Sequence, residues 1–67
     1  MRDPGRLDKF YEEVKEIHKK HFPDWRYGQL CSNFFGWLWN DRSTDMFFPE
    51  EPDMLRYLRE YVEEYRR

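Results

Sequence analysis

His18 and His21 stand three residues apart, a spacing at which two imidazoles on one helix face can share a metal ion. Cys31, the only cysteine, could complete such a site, or act as a nucleophile with either histidine as its base. The context argues against both. The chain has no C-x-x-C and no H-E-x-x-H, the spacings that make zinc ligation specific. A catalytic thiol needs partial exposure and an electropositive setting. Cys31 instead falls among apolar residues, where a free thiol behaves as a small hydrophobe and is expected to be buried. The histidines are then expected to pack at a helix boundary, each with one satisfied nitrogen. No glycine-rich phosphate loop or serine elbow is present either. The expectation is a protein without catalytic residues, bound metal or cofactor.

A second constellation is made of Arg26, Gln29 and Asn33, spaced by three and four and flanked by Trp25 and Trp37. A guanidinium and two amides offer many donors with little net charge. They have two readings. In the first they hold the segment Asp45–Pro49, with Arg26 pairing to Asp45 or Glu50, so that Asn33→Ala costs about 1–3 kcal/mol. In the second the same groups meet a ligand of nucleotide type, bound between subunits, or a protein partner.

Three helices are expected to position these groups. The first spans about residues 4–21, with Asp3 as N-cap and Pro4 at its first position. Leu7, Phe10, Tyr11, Val14, Ile17, His18 and His21 share one face, charged residues fill the other, and Pro23 ends it. The second spans about 25–40, capped by Asp24, and is apolar around more than half of its circumference. What remains is the strip Arg26, Gln29, Asn33, Gly36, Asn40. Gly28 and Gly36 weaken a helix by about 1 kcal/mol each relative to alanine and imply a close approach by another group. After a polar loop from Asp41 to Asp45, Met46-Phe47-Phe48-Pro49 reads as extended chain pinned by its aromatics. The third helix spans about 52–66 and opens on Pro52. Met54, Leu55, Leu58, Tyr61, Val62 and Tyr65 form its apolar face, with Tyr57 at the edge. Arg56–Glu60 and Arg59–Glu63 are spaced as i,i+4 pairs, and Arg66 and Arg67 suit its C-terminal dipole. The fold class is all-α: a small three-helix domain with an extended aromatic segment before the last helix.

Composition narrows the function further. Charged residues make up 39% of the 67 positions, net charge is −2, and the isoelectric point lies near 5.6. With no basic stripe, duplex nucleic acid is not an expected partner. No apolar run reaches the roughly 20 residues of a membrane helix, and the N-terminus lacks the apolar region of a signal peptide. One cysteine cannot form an internal disulfide, which fits a cytoplasmic protein. Aromatics are 21% of the chain, fourteen residues that bury about 150–250 Å² each, more than three short helices can enclose. Trp25, Trp39 and some of Tyr57, Tyr61 and Tyr65 are therefore expected at the surface, where such residues favour protein contacts.

Arg26-Tyr27-Gly28-Gln29-Leu30, followed by Asn33-Phe34, resembles the R-x-G-Q-L-x-x-N block of a group of short uncharacterised proteins from Firmicutes and their phages. Asp45-Met46-Phe47-Phe48-Pro49-Glu50 resembles that group's second block, an Asp, two aromatics and an acidic residue opening the last helix; Met46 stands where the group often has proline. The resemblance spans about residues 22–62. It implies a mostly helical protein of bacterial or phage origin and no particular activity. The expected function is a small interaction protein, with little room for a pocket that excludes water but suited to binding itself and a host protein, with Trp25, Arg26, Gln29, Asn33, Trp37, Trp39, Tyr57 and Tyr61 as its contacts.

Overall fold

The computed structural model describes residues 2–66 and contains three helices: α1 (Arg6–His21), α2 (Tyr27–Arg42) and α3 (Glu51–Tyr65). No strand occurs among the described residues. The chain is an all-α three-helix domain, and none of its described helices is long and apolar enough to cross a membrane. Arg67 lies outside the described residues.

Each helix starts at a different place from the one its pattern predicts. Asp3 does cap, but it caps the turn leading into α1. Its carboxylate accepts the Gly5 N–H at 3.0 Å and its carbonyl accepts the Arg6 N–H at 3.2 Å, so the helix proper begins at Arg6. The start of α2 is displaced from Trp25 to Tyr27 by ring stacking. A turn joins the Trp25 N–H to the Phe22 carbonyl at 3.1 Å and lays the indole on the Phe22 ring, with centroids 4.4 Å apart and planes 13° from parallel. Arg26, not Asp24, is the N-cap, and its N–H donates to Gln29 Oε1 at 2.7 Å. Arginine has no acceptor with which to cap, so Gln29 supplies the side-chain bond.

At its other end α2 runs two residues beyond the expected limit. Ser43 turns left-handed (φ 51°, ψ 38°), and the Ser43 and Thr44 N–H groups converge on the Leu38 carbonyl. Helix α3 opens one residue early, which puts Pro52 at its second position, where a missing N–H is still harmless.

The core lies between α2 and α3. Leu30, Phe34 and Leu38 face Leu55, Leu58, Tyr61 and Val62, and Phe22 enters from the α1–α2 connection. Helix α1 contributes no fully buried residue; Val14 and Ile17 rest against the cluster half-covered. It docks on α3 in parallel, as the ion pairs Arg6–Glu51 (2.9 Å) and Glu13–Arg59 (3.0 Å) show by advancing together along both helices. Arg59 thus bridges to α1 and not along its own helix to Glu63, whereas the expected Arg56–Glu60 pair forms at 3.2 Å. Helices α1 and α2 both pack on α3 and barely meet each other.

Candidate interaction surface

That incomplete closure leaves an apolar hollow of about 60 Å³ between α1 and α2. Phe10, Tyr11 and Val14 form one wall, Tyr27, Cys31 and Phe35 the other, and Met54 and Leu58 lie beneath. Phe10 and Met54 also border a second hollow, formed with Met46, Phe47, Phe48 and Pro49. The two adjoin through these shared side chains, and the second also carries the charged groups of Arg2, Glu50 and Glu51 on its wall. Their exposed apolar members are large: Tyr11 at 58% of full exposure, Tyr27 at 64%, Phe47 at 81% and Phe48 at 73%, with Met46 also open.

The Phe47–Phe48 pair corrects the expectation of an extended, pinned segment. Asp45 Oδ1 accepts the Phe47 N–H at 3.0 Å and the Asp45 carbonyl accepts the Phe48 N–H at 3.2 Å. This side-chain-closed turn lifts both rings into solvent, edge to face at 5.1 Å. The signal was present in the sequence, in an aspartate two residues ahead of an aromatic pair that belongs to no helical stripe. Tyr11 and Tyr27 carry no such signal in the sequence: each sits on an apolar stripe, and only the gap between α1 and α2 exposes them.

Of the residues the sequence singled out, Trp25, Trp37 and Tyr61 come together, but as structure. Tyr61 is buried, at 7% exposure, and is not a surface contact. Its ring centroid lies 5.4 Å from Trp37 and 5.7 Å from Phe34. Burial raises its phenol above the ordinary value. Trp37 is half-buried, donates Nε1–H to Glu64 Oε1 at 3.3 Å, and carries the Arg42 guanidinium 4.7 Å from its ring centroid. Arg42 also pairs with Glu60 and Glu64, which raises its pKa and ties the end of α2 to α3. Half-buried Trp25 stacks on Phe22, with Tyr65 against its edge. Tyr57 is half-buried under the Arg56 guanidinium at 4.6 Å. Trp39 is open to solvent as expected, at 61%.

The polar strip faces outward. Arg26 and Asn33 are exposed, and Arg26 pairs with neither Asp45 nor Glu50. Glu50 pairs with Arg2, and Asp45 is occupied by its own turn. The strip therefore does not hold the Asp45–Pro49 segment. Gln29 spends its carbonyl oxygen on the α2 cap, while Arg26, Asn33 and Asn40 turn their side chains to solvent.

The histidines have local work as well. His18 Nε2 lies 2.7 Å from the Trp25 carbonyl, so this nitrogen carries the proton and latches α1 to the following turn. No group of three potential metal ligands occurs among the described residues. Cys31 is half-exposed, not buried, and sits against Tyr27, whose phenol its side chain pushes upward. No histidine lines that hollow. No family model matches the chain, and neither a curated protein nor a solved structure is similar to it.

Proposed function

We propose that this chain is a small, non-enzymatic interaction protein of the cytoplasm, a phage or mobile-element accessory factor that binds and modulates a host protein, for example a component of defence. The observation that carries the binding half is the Phe47–Phe48 turn beside its apolar hollow. Two neighbouring phenylalanines held open on a side-chain-closed turn leave most of their apolar surface in water with little more than each other to cover it, and surfaces of monomeric proteins seldom keep such patches without a use. Phe10, Met46 and Met54 extend the patch with adaptable side chains that suit a partner's apolar anchor. The origin half rests on the resemblance of residues 22–62 to phage and Firmicute proteins. The nucleotide-ligand alternative draws less support, since the carbonyl oxygen of Gln29 is engaged in the α2 cap and Trp25 and Trp37, its flanking rings, are half-buried in intramolecular contacts.

The test is affinity capture from a bacterial lysate with the wild-type chain and with a Phe47→Ser/Phe48→Ser variant as baits. A protein retained by the wild type and lost with the variant is the expected result. Identical retention by both baits, or none by either, rejects the reading.

A further inference from the structure

We infer that the solvent face of α2 is a self-association surface, on which α2 of a second copy lies antiparallel. This goes beyond the partner binding assigned to the Phe47–Phe48 turn and centres on different side chains, Trp39 and the Gly28–Ser32–Gly36 row, with Tyr11 and Tyr27 at the edge where the two surfaces adjoin.

A helix lying on a protein surface ordinarily turns a charged face to water. Helices α1 and α3 do so, but from Tyr27 to Asn40 α2 has no charged residue at all, and the first charges are Arg26 and Asp41 at its two ends. Outward from the core it presents Gln29, Ser32, Asn33, Gly36, Trp39 and Asn40, all but Gly36 exposed. Depletion of charge beside an exposed tryptophan is a feature of interface centres. It also selects the occupant. A two-fold contact sets each patch against its own image, so a charged patch repels itself while this one does not.

The shape is self-complementary. Tyr27, Cys31, Phe35 and Trp39 follow one another at four-residue steps and form a ridge; Gly28, Ser32 and Gly36 form the adjoining row and make a furrow. A Cβ built at Gly28 or Gly36 meets nothing within 4 Å, so these glycines answer to no neighbour inside the chain. With two α2 helices antiparallel about Ser32–Gly36, Trp39 of one copy falls opposite Gly28 and Ser32 of the other. Each helix then supplies both the ridge and the furrow the contact requires.

The available area reaches the lower range of specific contacts. The smallest specific interfaces bury about 1,000 Å² in total, roughly 500 Å² on each side, of a surface that here is 5258 Å². Trp39 and Tyr27 of α2 and the neighbouring Tyr11 of α1, each more than half exposed, offer roughly 350 Å² at about 200 Å² per ring system. Half-covered Phe35 and Cys31 and the exposed polar side chains of the same face add to it. A second copy also meets a need of the fold. Domains below about 70–80 residues commonly require a disulfide, a metal or a partner subunit, and α1 here buries no residue fully.

Sedimentation equilibrium and native mass spectrometry of the full chain test the inference. The wild type is expected to be a dimer at micromolar concentration. Trp39→Glu places two carboxylates in the contact and is expected to raise the dissociation constant by about 100-fold, the scale of a truncated hot spot with added charge. Gly36→Gln fills the furrow without charge and improves helix propensity. It is expected to weaken the dimer about tenfold while far-UV circular dichroism shows an intact helical fold. The Phe47→Ser/Phe48→Ser variant is expected to remain dimeric, so loss of partner binding and loss of the dimer separate. A wild type that stays monomeric up to millimolar concentration overturns the inference. So does a dimer indifferent to both α2 substitutions.

Discussion

Helices α1 and α2 have equal lengths, 16 residues each, yet they solve the problem of solvation in opposite ways. Helix α1 is lightly docked and heavily charged: it buries no residue fully, and ion pairs at Arg6 and Glu13 hold it on α3. Helix α2 is deeply docked through Leu30, Phe34 and Leu38 and has no charge on its remaining surface from Tyr27 to Asn40, only Asp41 and Arg42 in its last turn. Helix α3 stands between them, with one apolar face serving both neighbours. An amphipathic helix is complete with one packing partner. A helix that is apolar inward and uncharged outward is incomplete with one, and this is the physical content of the contrast.

The contrast can be broken or sharpened by substitution. Leu38 is fully enclosed, at 0% exposure, and Leu38→Ala is expected to cost about 2–5 kcal/mol in urea unfolding, through lost transfer energy and a residual cavity. The half-covered Val14 of α1 should lose well under half as much on replacement by alanine; equal losses would erase the distinction between the two helices. Next in size is Ser43, whose left-handed backbone closes α2. Ser43→Gly relieves the Cβ clash and is expected to raise stability by about 1 kcal/mol, less the added entropy of an unfolded glycine. Asn33→Ala should change the thermal midpoint of dilute protein little, by about 0.5 kcal/mol or less, as for other exposed helix positions. A loss of 1–3 kcal/mol would restore the buried-amide reading that the structure replaces.

The smallest effect belongs to the α1–α3 ion pair. Arg6 holds the Glu51 carboxyl below its ordinary range. A folded-state pKa depressed in this way contributes stability that is present above the unfolded value and lost as pH falls through the folded one. Titration of stability below pH 5 should therefore reveal a decline that Arg6→Gln attenuates and that salt weakens, since the pair is partly exposed.

Much of this architecture was legible in the sequence because periodicity reports which residues face a core. The three helices, the apolar stripes of α1 and α3, the Arg56–Glu60 pair and the open position of Trp39 all follow from spacing and type. The starts of the helices were not legible to the residue, because they depend on tertiary stacking: no local rule announces that Trp25 leaves the helical path to cover Phe22. The aromatic surface was predicted in amount but misplaced in detail. Tyr61 lies under Trp37 and Phe34, while Phe47 and Phe48, read as pinned, stand free. Whether an aromatic on a stripe is covered depends on how closely two helices that are not consecutive in contact approach, as at Tyr11 and Tyr27, and a single helix pattern carries no information about that distance.

The parallel placement of α1 on α3 has a consequence for the order of assembly. Arg6 meets Glu51 and Glu13 meets Arg59, so docking α1 closes a loop made of most of the chain, whereas α2 and α3 are joined by the short connection 43–50. Closing the longer loop costs more entropy, and no residue of α1 becomes fully buried in return. The α2–α3 pair is thus expected to form first and α1 to dock late: in stopped-flow chevrons, substitutions such as Val14→Ala should speed unfolding and leave the folding limb nearly untouched, while Leu38→Ala slows folding.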